Sequence, residues 1–291
     1  MSNNTQVLII GGSINGATLA LLLAQNNITV TLVEPNSLLS KKNPVFDGRA
    51  YALALSTQKM LKSISIWGEL KMNSEPILDI KIGDNNHKNS LSKTFLHFNH
   101  YDMAENADPM GYILEDRYLR SELISKIKKY KNISIKDKCS VIEHQINPGC
   151  VVSKLSNGET IKSTLIIGSD GQNSQTAKFA NINRFGWSYN QMSLVCAIKH
   201  EKAHNGCAHQ FFRPSGPIAI LPLPKDRSSI VWTEKPDLAQ EINKMSPNEY
   251  INILKSRIGA NLGNISLSGE RFLFPLKLSL TENFVSDRVA L

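Results

Sequence analysis

The chain has 291 residues, of which 41% are hydrophobic and 20% charged, a composition typical of a soluble globular protein. No run approaches the roughly 18 uninterrupted apolar residues of a transmembrane helix, and no signal-type segment precedes the first strand, so we expect a cytoplasmic protein. The formal net charge of +8 comes from scattered lysines. It therefore favours an ordinary solvated surface over the alternative, weak attraction to nucleic acid or to an anionic membrane surface, and we expect no nucleic-acid partner.

The first strongly patterned segment is V-L-I-I at 7–10, a continuous apolar run typical of a strand buried in a parallel sheet. The turn G-G-S-I-N-G at 11–16, an uninterrupted helix and a second strand ending at Glu34 follow it. A strand, a glycine-rich turn, a helix and an acid about twenty residues later are typical of a dinucleotide-binding unit.

Each residue of this unit has a predicted task. Gly11 permits the tight turn, and Gly16 lets the helix pack closely on the strand. The free N–H groups at the helix N-terminus would face a pyrophosphate, and Glu34 would accept hydrogen bonds from ribose hydroxyls. Ser13 replaces the usual middle glycine, which adds bulk but also a hydroxyl donor, so we predict a modest weakening of the site.

Two later segments carry candidate ligand residues. Arg49, in D-G-R-A-Y-A-L-A-L-S, either reaches a phosphate or a flavin edge or is an ordinary surface arginine. The strand T-L-I-I-G-S-D-G ends at Asp170 and Gly171, which is where α/β sheets place ligand groups. The alternative is a plain Asp-Gly turn. Between these segments, 111–127 is predicted to become a helix.

One histidine-rich segment is a candidate metal site. H-E-K-A-H-N-G-C-A-H contains His200, His204, Cys207 and His209. Its spacing matches no common zinc pattern, and its N-G dipeptide indicates a turn between strands. We therefore predict no metal site. The four cysteines form no C-x-x-C pair and are expected to be reduced thiols.

From residue 192 onward, short alternating segments predict antiparallel strands, with one helix at P-N-E-Y-I-N-I-L-K-S-R-I. The final D-R-V-A-L reads as the start of another strand. The sequence thus predicts an α/β fold, with a Rossmann-like nucleotide-binding domain and an inserted, mostly antiparallel β-sheet domain.

Together these motifs resemble the FAD-dependent aromatic hydroxylases of the para-hydroxybenzoate hydroxylase type, and within them the ubiquinone-biosynthesis hydroxylases. The order and spacing of the motifs are more specific than any one of them. The motifs that carry the resemblance are V-L-I-I-G-G-S-I-N-G-A-T-L-A-L-L-L-A, D-G-R-A-Y-A-L-A-L-S, G-Y-I-L-E-D-R-Y-L-R-S-E-L, L-I-I-G-S-D-G-Q-N-S, F-F-R-P-S-G-P-I-A-I-L-P-L, S-I-V-W-T and F-P-L.

The resemblance implies that FAD is the cofactor, and it carries over the following residues. The residues expected to contact FAD are Gly11, Ser13, Gly16, Glu34, Arg49, Arg117, Asp170 and Gly171. Arg49 is expected on the flavin side of the cofactor, and Arg117 is favoured over its neighbour Asp116. Asp170 and Gly171 are also associated with the pyridine nucleotide. It implies a FAD-binding domain in two parts, 1–75 and 111–186, and a substrate domain at 187–283. Residues 76–110 are an excursion of the substrate domain, and 284–291 begin a final FAD-domain strand.

The implied activity is hydroxylation of a polyprenylated phenol in ubiquinone biosynthesis, by reduced flavin and O₂, with NAD(P)H or another reductant as electron donor. The substrate implies a peripheral protein at the inner face of the membrane and a complex of ubiquinone-biosynthesis proteins. No side chain stands out as a catalytic acid or base. In the family the last strand continues into a Gly-Asp motif, so we expect a C-terminal truncation. The alternative is a non-catalytic remnant or one half of a split flavoprotein.

Overall fold

A computed structural model describes residues 3–38, 46–84, 94–103 and 108–291. Up to the middle of the chain the elements are β1 (Asn3–Ile10), α1 (Ile14–Gln25), β2 (Val30–Glu34), β3 (Ala50–Ala54), α2 (Leu55–Ser63), α3 (Trp67–Lys71), β4 (Ser74–Ile77), β5 (Asp79–Asp84), β6 (Thr94–Asn99), α4 (His100–Met103), β7 (Gly111–Glu115) and α5 (Asp116–Ile127).

The elements that follow are β8 (Ile133–Asp137), β9 (Val141–Asn147), β10 (Cys150–Leu155), β11 (Thr160–Gly168), α6 (Gln175–Phe179), β12 (Arg184–His200), β13 (Cys207–Phe212), β14 (Ile218–Leu223), β15 (Arg227–Glu234), α7 (Pro236–Lys244), α8 (Pro247–Ile258), β16 (Ile265–Leu267), β17 (Phe272–Thr281), β18 (Val285–Ser286) and β19 (Val289–Ala290).

The chain divides into two compact units. Unit one comprises Met1–Pro44, Leu119–Trp187 and Ser279–Leu291, and unit two comprises Val45–Tyr118 and Ser188–Leu278. The predicted α/β class, with a Rossmann-like unit and a mostly antiparallel second sheet, is confirmed. The functional domain boundaries given above stay a prediction, since a division by compactness assigns no role to either unit.

Unit one is built on an eight-stranded sheet whose central strands are parallel and in which β9 and β10 add antiparallel pairs. β1 pairs with β11 on one side and β2 on the other, and β8 pairs with β2, all in parallel. Leu8 and Ile9 of β1 are fully buried, as expected for a strand covered on both faces. Parallel pairing brings the ends of these strands to the same edge, so the residues after Ile10, Glu34 and Gly168 meet there.

Unit two is built on a second sheet in the order β16-β12-β15-β14-β13-β5-β6. In this order β13 and β5 are parallel, and every other neighbouring pair is antiparallel. Trp232 of β15 and Tyr250 of α8 are fully buried in its core. A smaller sheet pairs β7 with β3 and β4.

Of the two helices in this part of the chain, α8 was predicted from the sequence and α7 was not. Pro236 and Asp237 suit the start of a helix, but they also suit a turn.

The start of α8 is fixed by a capping box, in which the Ser246 hydroxyl accepts from the Glu249 N–H while Glu249 accepts from the Ser246 N–H. We expect Ser246→Ala to lower the stability of unit two by about 1 kcal/mol, because the N-terminal N–H groups lose their acceptor. Urea unfolding measures this loss. The control is Ser256→Ala, within the same helix, where the hydroxyl donates to the Ile253 carbonyl and does not cap the helix. Equal midpoints for the two variants would contradict the capping role.

Candidate functional site

The turn after β1 leaves no room for side chains. Gly11 has a φ of +103°, and a Cβ there would lie 2.3 Å from the Ser169 carbonyl oxygen. A Cβ on Gly16 would lie 1.9 Å from the carbonyl oxygen of Gly11. Such distances are far inside van der Waals contact, so both positions require glycine. The turn therefore packs against Ser169 and the start of α1 backbone to backbone.

The N-terminus of α1 is open to an anion. Its N-cap is Ser13, whose hydroxyl forms no capping hydrogen bond among the described residues, and its first turn contains no acidic residue. The first N–H groups of a helix lack intrahelical acceptors and carry the positive end of the helix dipole. A capping side chain, water or a ligand can satisfy them. At α1 these N–H groups are therefore available to a ligand.

Glu34 lies at the end of β2, next to this turn. Its Oε2 accepts a hydrogen bond from the Gly12 N–H at 2.8 Å, and its Oε1 accepts from the backbone and side-chain nitrogens of Asn36 at 3.1 and 3.0 Å. These bonds hold the carboxylate in one orientation at the edge of the turn. Each oxygen retains lone-pair capacity for a further donor, such as a hydroxyl.

Asp170 and Gly171 follow β11 at the same edge of the sheet. Asp170 Oδ2 accepts from the N–H and the hydroxyl of Thr176, both at 3.0 Å, and so fixes the start of α6. Its Oδ1 is buried and has no hydrogen-bond partner among the described residues. Gly171 adopts a φ of +79°. A buried carboxylate oxygen without a donor is costly, which indicates that a ligand or water completes this position.

Beside Asp170 lies a cavity of about 450 Å³, whose lining includes Asn15, Ser169, Asp170, Arg184 and Phe284. Arg184 donates to the Gly171 carbonyl at 3.0 Å. The cavity lies where β11 ends, the usual position of ligands in open α/β sheets. All of these residues belong to unit one.

Arg120 is a candidate site residue that was not predicted from the sequence. It lies on α5, and its Nη2 donates to the Ser13 hydroxyl at 3.4 Å. A cation next to a helix N-terminus opposes the helix dipole unless an anion lies between them. Little in the sequence indicates that Arg120 lies near the turn. It is separated from Ser13 by 107 positions and stands among other polar residues.

The predicted site residues fall into two sets. The set in unit one, brought together at the edge of its sheet, is Gly11, Ser13, Gly16, Glu34, Asp170 and Gly171. Arg49 and Arg117 belong to unit two, where Arg49 contacts Asp47 and Asp116. Arg117 donates to the buried Glu115 carboxylate at 2.7 Å. Its guanidinium also lies over the rings of Tyr118 and Phe46, at 4.7 and 5.9 Å from their centroids.

The histidine-rich segment shows no metal-site geometry. His200 contacts the Lys202 carbonyl at 2.8 Å and the Ser228 hydroxyl at 3.0 Å, and His204 contacts the Leu223 carbonyl at 2.9 Å. Across the described residues, no three histidine, cysteine or acidic side chains are grouped to hold a metal ion.

Among the helices of the described residues, none combines the length and apolar character that a membrane crossing requires.

A comparison with family models decides the assignment. The model described as "FAD binding domain" matches residues 4–291. The chain belongs to this FAD-binding family. The FAD cofactor implied by the sequence resemblance is thereby confirmed.

Two individual relatives are named as ubiquinone hydroxylases. The chain is 35% identical over 288 residues to ubiquinone hydroxylase UbiL of Rhodospirillum rubrum, covering 98% of this chain and 65% of the relative. It is 27% identical to ubiquinone hydroxylase UbiM of Neisseria meningitidis, covering 100% and 63%. The chain thus spans less than two thirds of the length of either relative. The resemblance to ubiquinone-biosynthesis hydroxylases is confirmed.

Solved structures share the fold. PqsL of Pseudomonas aeruginosa, in complex with 2-aminobenzoylacetate, superposes with a TM-score of 0.80 over 99% of this chain and 78% of PqsL. The two sequences are 17% identical, so this likeness concerns the fold.

The residues in unit one fit FAD. Gly11 and Gly16 carry no side chain that would keep a diphosphate away from the backbone. The α1 N-terminus offers N–H groups that no capping side chain satisfies. Glu34 and the open Oδ1 of Asp170 are acceptors for the hydroxyl groups that FAD carries on its ribose and ribityl chains. These residues would hold FAD along the edge of the parallel sheet.

We expect Arg120→Gln to weaken FAD binding about tenfold, because a charge-assisted contact to the diphosphate is lost while the fold is kept. Fluorescence titration of the apoprotein with FAD measures the dissociation constant. Lys126→Gln is the matched control, since it removes one positive charge from the last turn of the same helix. A dissociation constant unchanged in Arg120→Gln, or weakened equally in both variants, would contradict a local role for Arg120.

Proposed function

We propose that this protein is a FAD-dependent monooxygenase that hydroxylates the ring of a polyprenylated phenol in ubiquinone biosynthesis. The observation that carries the proposal is the 35% identity to ubiquinone hydroxylase UbiL over 98% of the chain. The glycine-rich turn and the open helix N-terminus support it from the structure. Because these relatives are named as hydroxylases, we favour an enzyme over the alternative that this chain is a non-catalytic remnant.

In this proposal the residues of unit one bind and orient the cofactor. The α1 N-terminus and Arg120 hold the diphosphate, Glu34 holds the ribose, and Asp170 accepts from a further hydroxyl. When bound, FAD supplies the electron transfer and O₂ chemistry. One oxygen atom of O₂ enters the ring and the other leaves as water, with two electrons from NAD(P)H or another reductant.

Unit two supplies a surface that suits an apolar substrate. Leu96 and Phe98 of β6 and Phe212 of β13 are 46%, 38% and 45% exposed. The register of β6 and β13 with β5 places these three side chains on one face of the sheet. An exposed apolar patch of this kind is typical of a binding surface. It supports the proposal of a prenylated substrate.

The test begins with a titration of the purified chain with FAD, followed by absorbance and fluorescence. The loaded protein is then incubated with NAD(P)H, a short-chain prenylphenol and ¹⁸O₂, and the product is analysed by mass spectrometry. We expect a product that has gained one ¹⁸O atom. FAD binding with NAD(P)H oxidation but an unlabelled phenol would instead identify a flavin reductase.

We also propose that the protein acts at the inner face of the cytoplasmic membrane, in contact with other proteins of ubiquinone biosynthesis. The net charge of +8 and the apolar character of the proposed substrate support this location. Co-sedimentation with anionic vesicles, lost at high salt and absent with neutral vesicles, is the expected result. Equal recovery in the supernatant with both vesicle types would contradict it.

A further inference from the structure

The large sheet of unit two has two faces that are covered differently. Side chains alternate between the faces of a strand, and Phe211 of β13 belongs to the core cluster that includes residues of α7 and α8. Ala208 of β13 therefore lies on the opposite face, where it shares a core cluster with Ile80 of β5 and Ile113 of β7. The small sheet thus covers this end of the opposite face.

The other end of that face exposes large apolar side chains. The strand register puts Leu96 and Phe98 of β6 and Phe212 of β13 on the same face as Ile80. These three side chains are between 38% and 46% exposed. The apolar strip that they form with their neighbours consists of Ile80, Ile82, Leu96, Phe98, Ala208, Gln210 and Phe212. From Phe98 to Phe212 it is about 16 Å long, given the usual spacing of strands and of residues along them.

The apolar strip is small for a protein partner. A whole side chain of this size has about 200 Å² of surface, so the exposed parts of Leu96, Phe98 and Phe212 provide about 250 Å². A stable protein–protein interface needs about 800 Å² from each partner. The available area therefore favours a single apolar chain over a second copy of this protein.

The charges around the apolar strip also disfavour a membrane surface as its partner. Proteins that dock on membranes surround their apolar residues with cations. Here Lys81 and His97 alternate onto the opposite face, and the residue that pairs with Phe212 is the acidic Asp84. The strip itself contains no charged residue. Its chemistry matches an uncharged hydrocarbon chain.

We infer that the apolar strip binds the isoprenoid tail of the substrate. This inference rests on the proposed function for the identity of the tail, and it adds the place where the tail is recognised. Each further isoprenyl unit that lies on the strip removes apolar surface from water and so raises the affinity. The gain ends when the extended tail is longer than the strip, about 16 Å.

The first test needs no turnover. Binding of radiolabelled farnesol to the full chain is measured by equilibrium dialysis, and circular dichroism checks that each variant is folded. We expect Leu96→Ser and Phe212→Ser each to weaken binding about tenfold, because each removes part of the apolar surface that the tail covers. Leu238→Ser is the matched control, since Leu238 is 39% exposed on α7 of the same unit. Unchanged binding in both strip variants, or equal weakening in all three, would overturn the inference.

The second test compares turnover of phenols that carry one to four isoprenyl units. We expect KM to fall with each added unit in the parent and in Leu238→Ser, up to the length of the apolar strip, and to fall less steeply in Leu96→Ser. Hydroxylation with the same dependence of KM on tail length in Leu96→Ser would overturn the inference and leave the proposed function standing. Farnesol binding that depends on Leu96 without any hydroxylation would overturn only the proposed function.

Discussion

Replacing Gly16 with alanine is expected to weaken FAD binding by at least about a hundredfold. The new methyl carbon would lie 1.9 Å from the Gly11 carbonyl oxygen and 3.1 Å from Ile9 Cγ2. The first contact is to backbone, which cannot rotate away, so the turn and α1 must separate. Separation moves the helix N-terminus that would face the diphosphate. Fluorescence titration with FAD measures the loss of binding.

The same variant should lose about 1–3 kcal/mol of unfolding free energy, because overpacking strains the β1–α1 contact. Gly68→Ala is the matched control, since Gly68 lies in α3 and a Cβ there meets nothing within 4 Å. That variant should bind FAD normally and be equal or slightly higher in stability. Normal FAD affinity in Gly16→Ala would show that the turn does not position the cofactor.

The glycine-rich turn was predictable from the sequence because its causes are local. Buried strand, turn, helix and acid follow one another within residues 7–34, and each has a distinctive residue pattern. The Asp170-Gly171 turn was predictable for the same reason. In these segments the spacing along the chain is nearly the spacing in the fold, so periodicity and turn residues suffice.

The contacts of Arg120 and Arg227 were not predictable, because they depend on how distant segments align. Arg120 meets Ser13 across 107 positions, and Arg227 meets Glu115 across 112. The sequence reading chose Arg117 for the cofactor by position along a motif alone, and that role stays a prediction. The structure shows that Arg117 already contacts a buried acid, whereas Arg120 contacts the turn.

Glu115→Gln is expected to lower the stability of unit two by about 3–5 kcal/mol, the usual cost of removing one partner from a buried charge network. The Glu115 side chain is 1% exposed and lies between Arg117, at 2.6 Å, and Arg227, at 2.8 Å. Both guanidinium groups also lie near the Phe46 ring, at 5.9 and 6.0 Å from its centroid. Without the Glu115 carboxylate, these two positive charges lose the anion that they share.

Urea unfolding followed by tryptophan fluorescence measures this loss, because Trp67 and Trp232 both lie in unit two. Glu241→Gln is the matched control, since Glu241 is an exposed acidic residue on α7 of unit two and a solvent-exposed charge contributes little to stability. Adding Arg227→Met to Glu115→Gln should restore part of the stability, because it removes one of the unpaired charges. A double variant less stable than Glu115→Gln would mean that Arg227 stabilises unit two through contacts other than this carboxylate, such as Ser268 and Phe46.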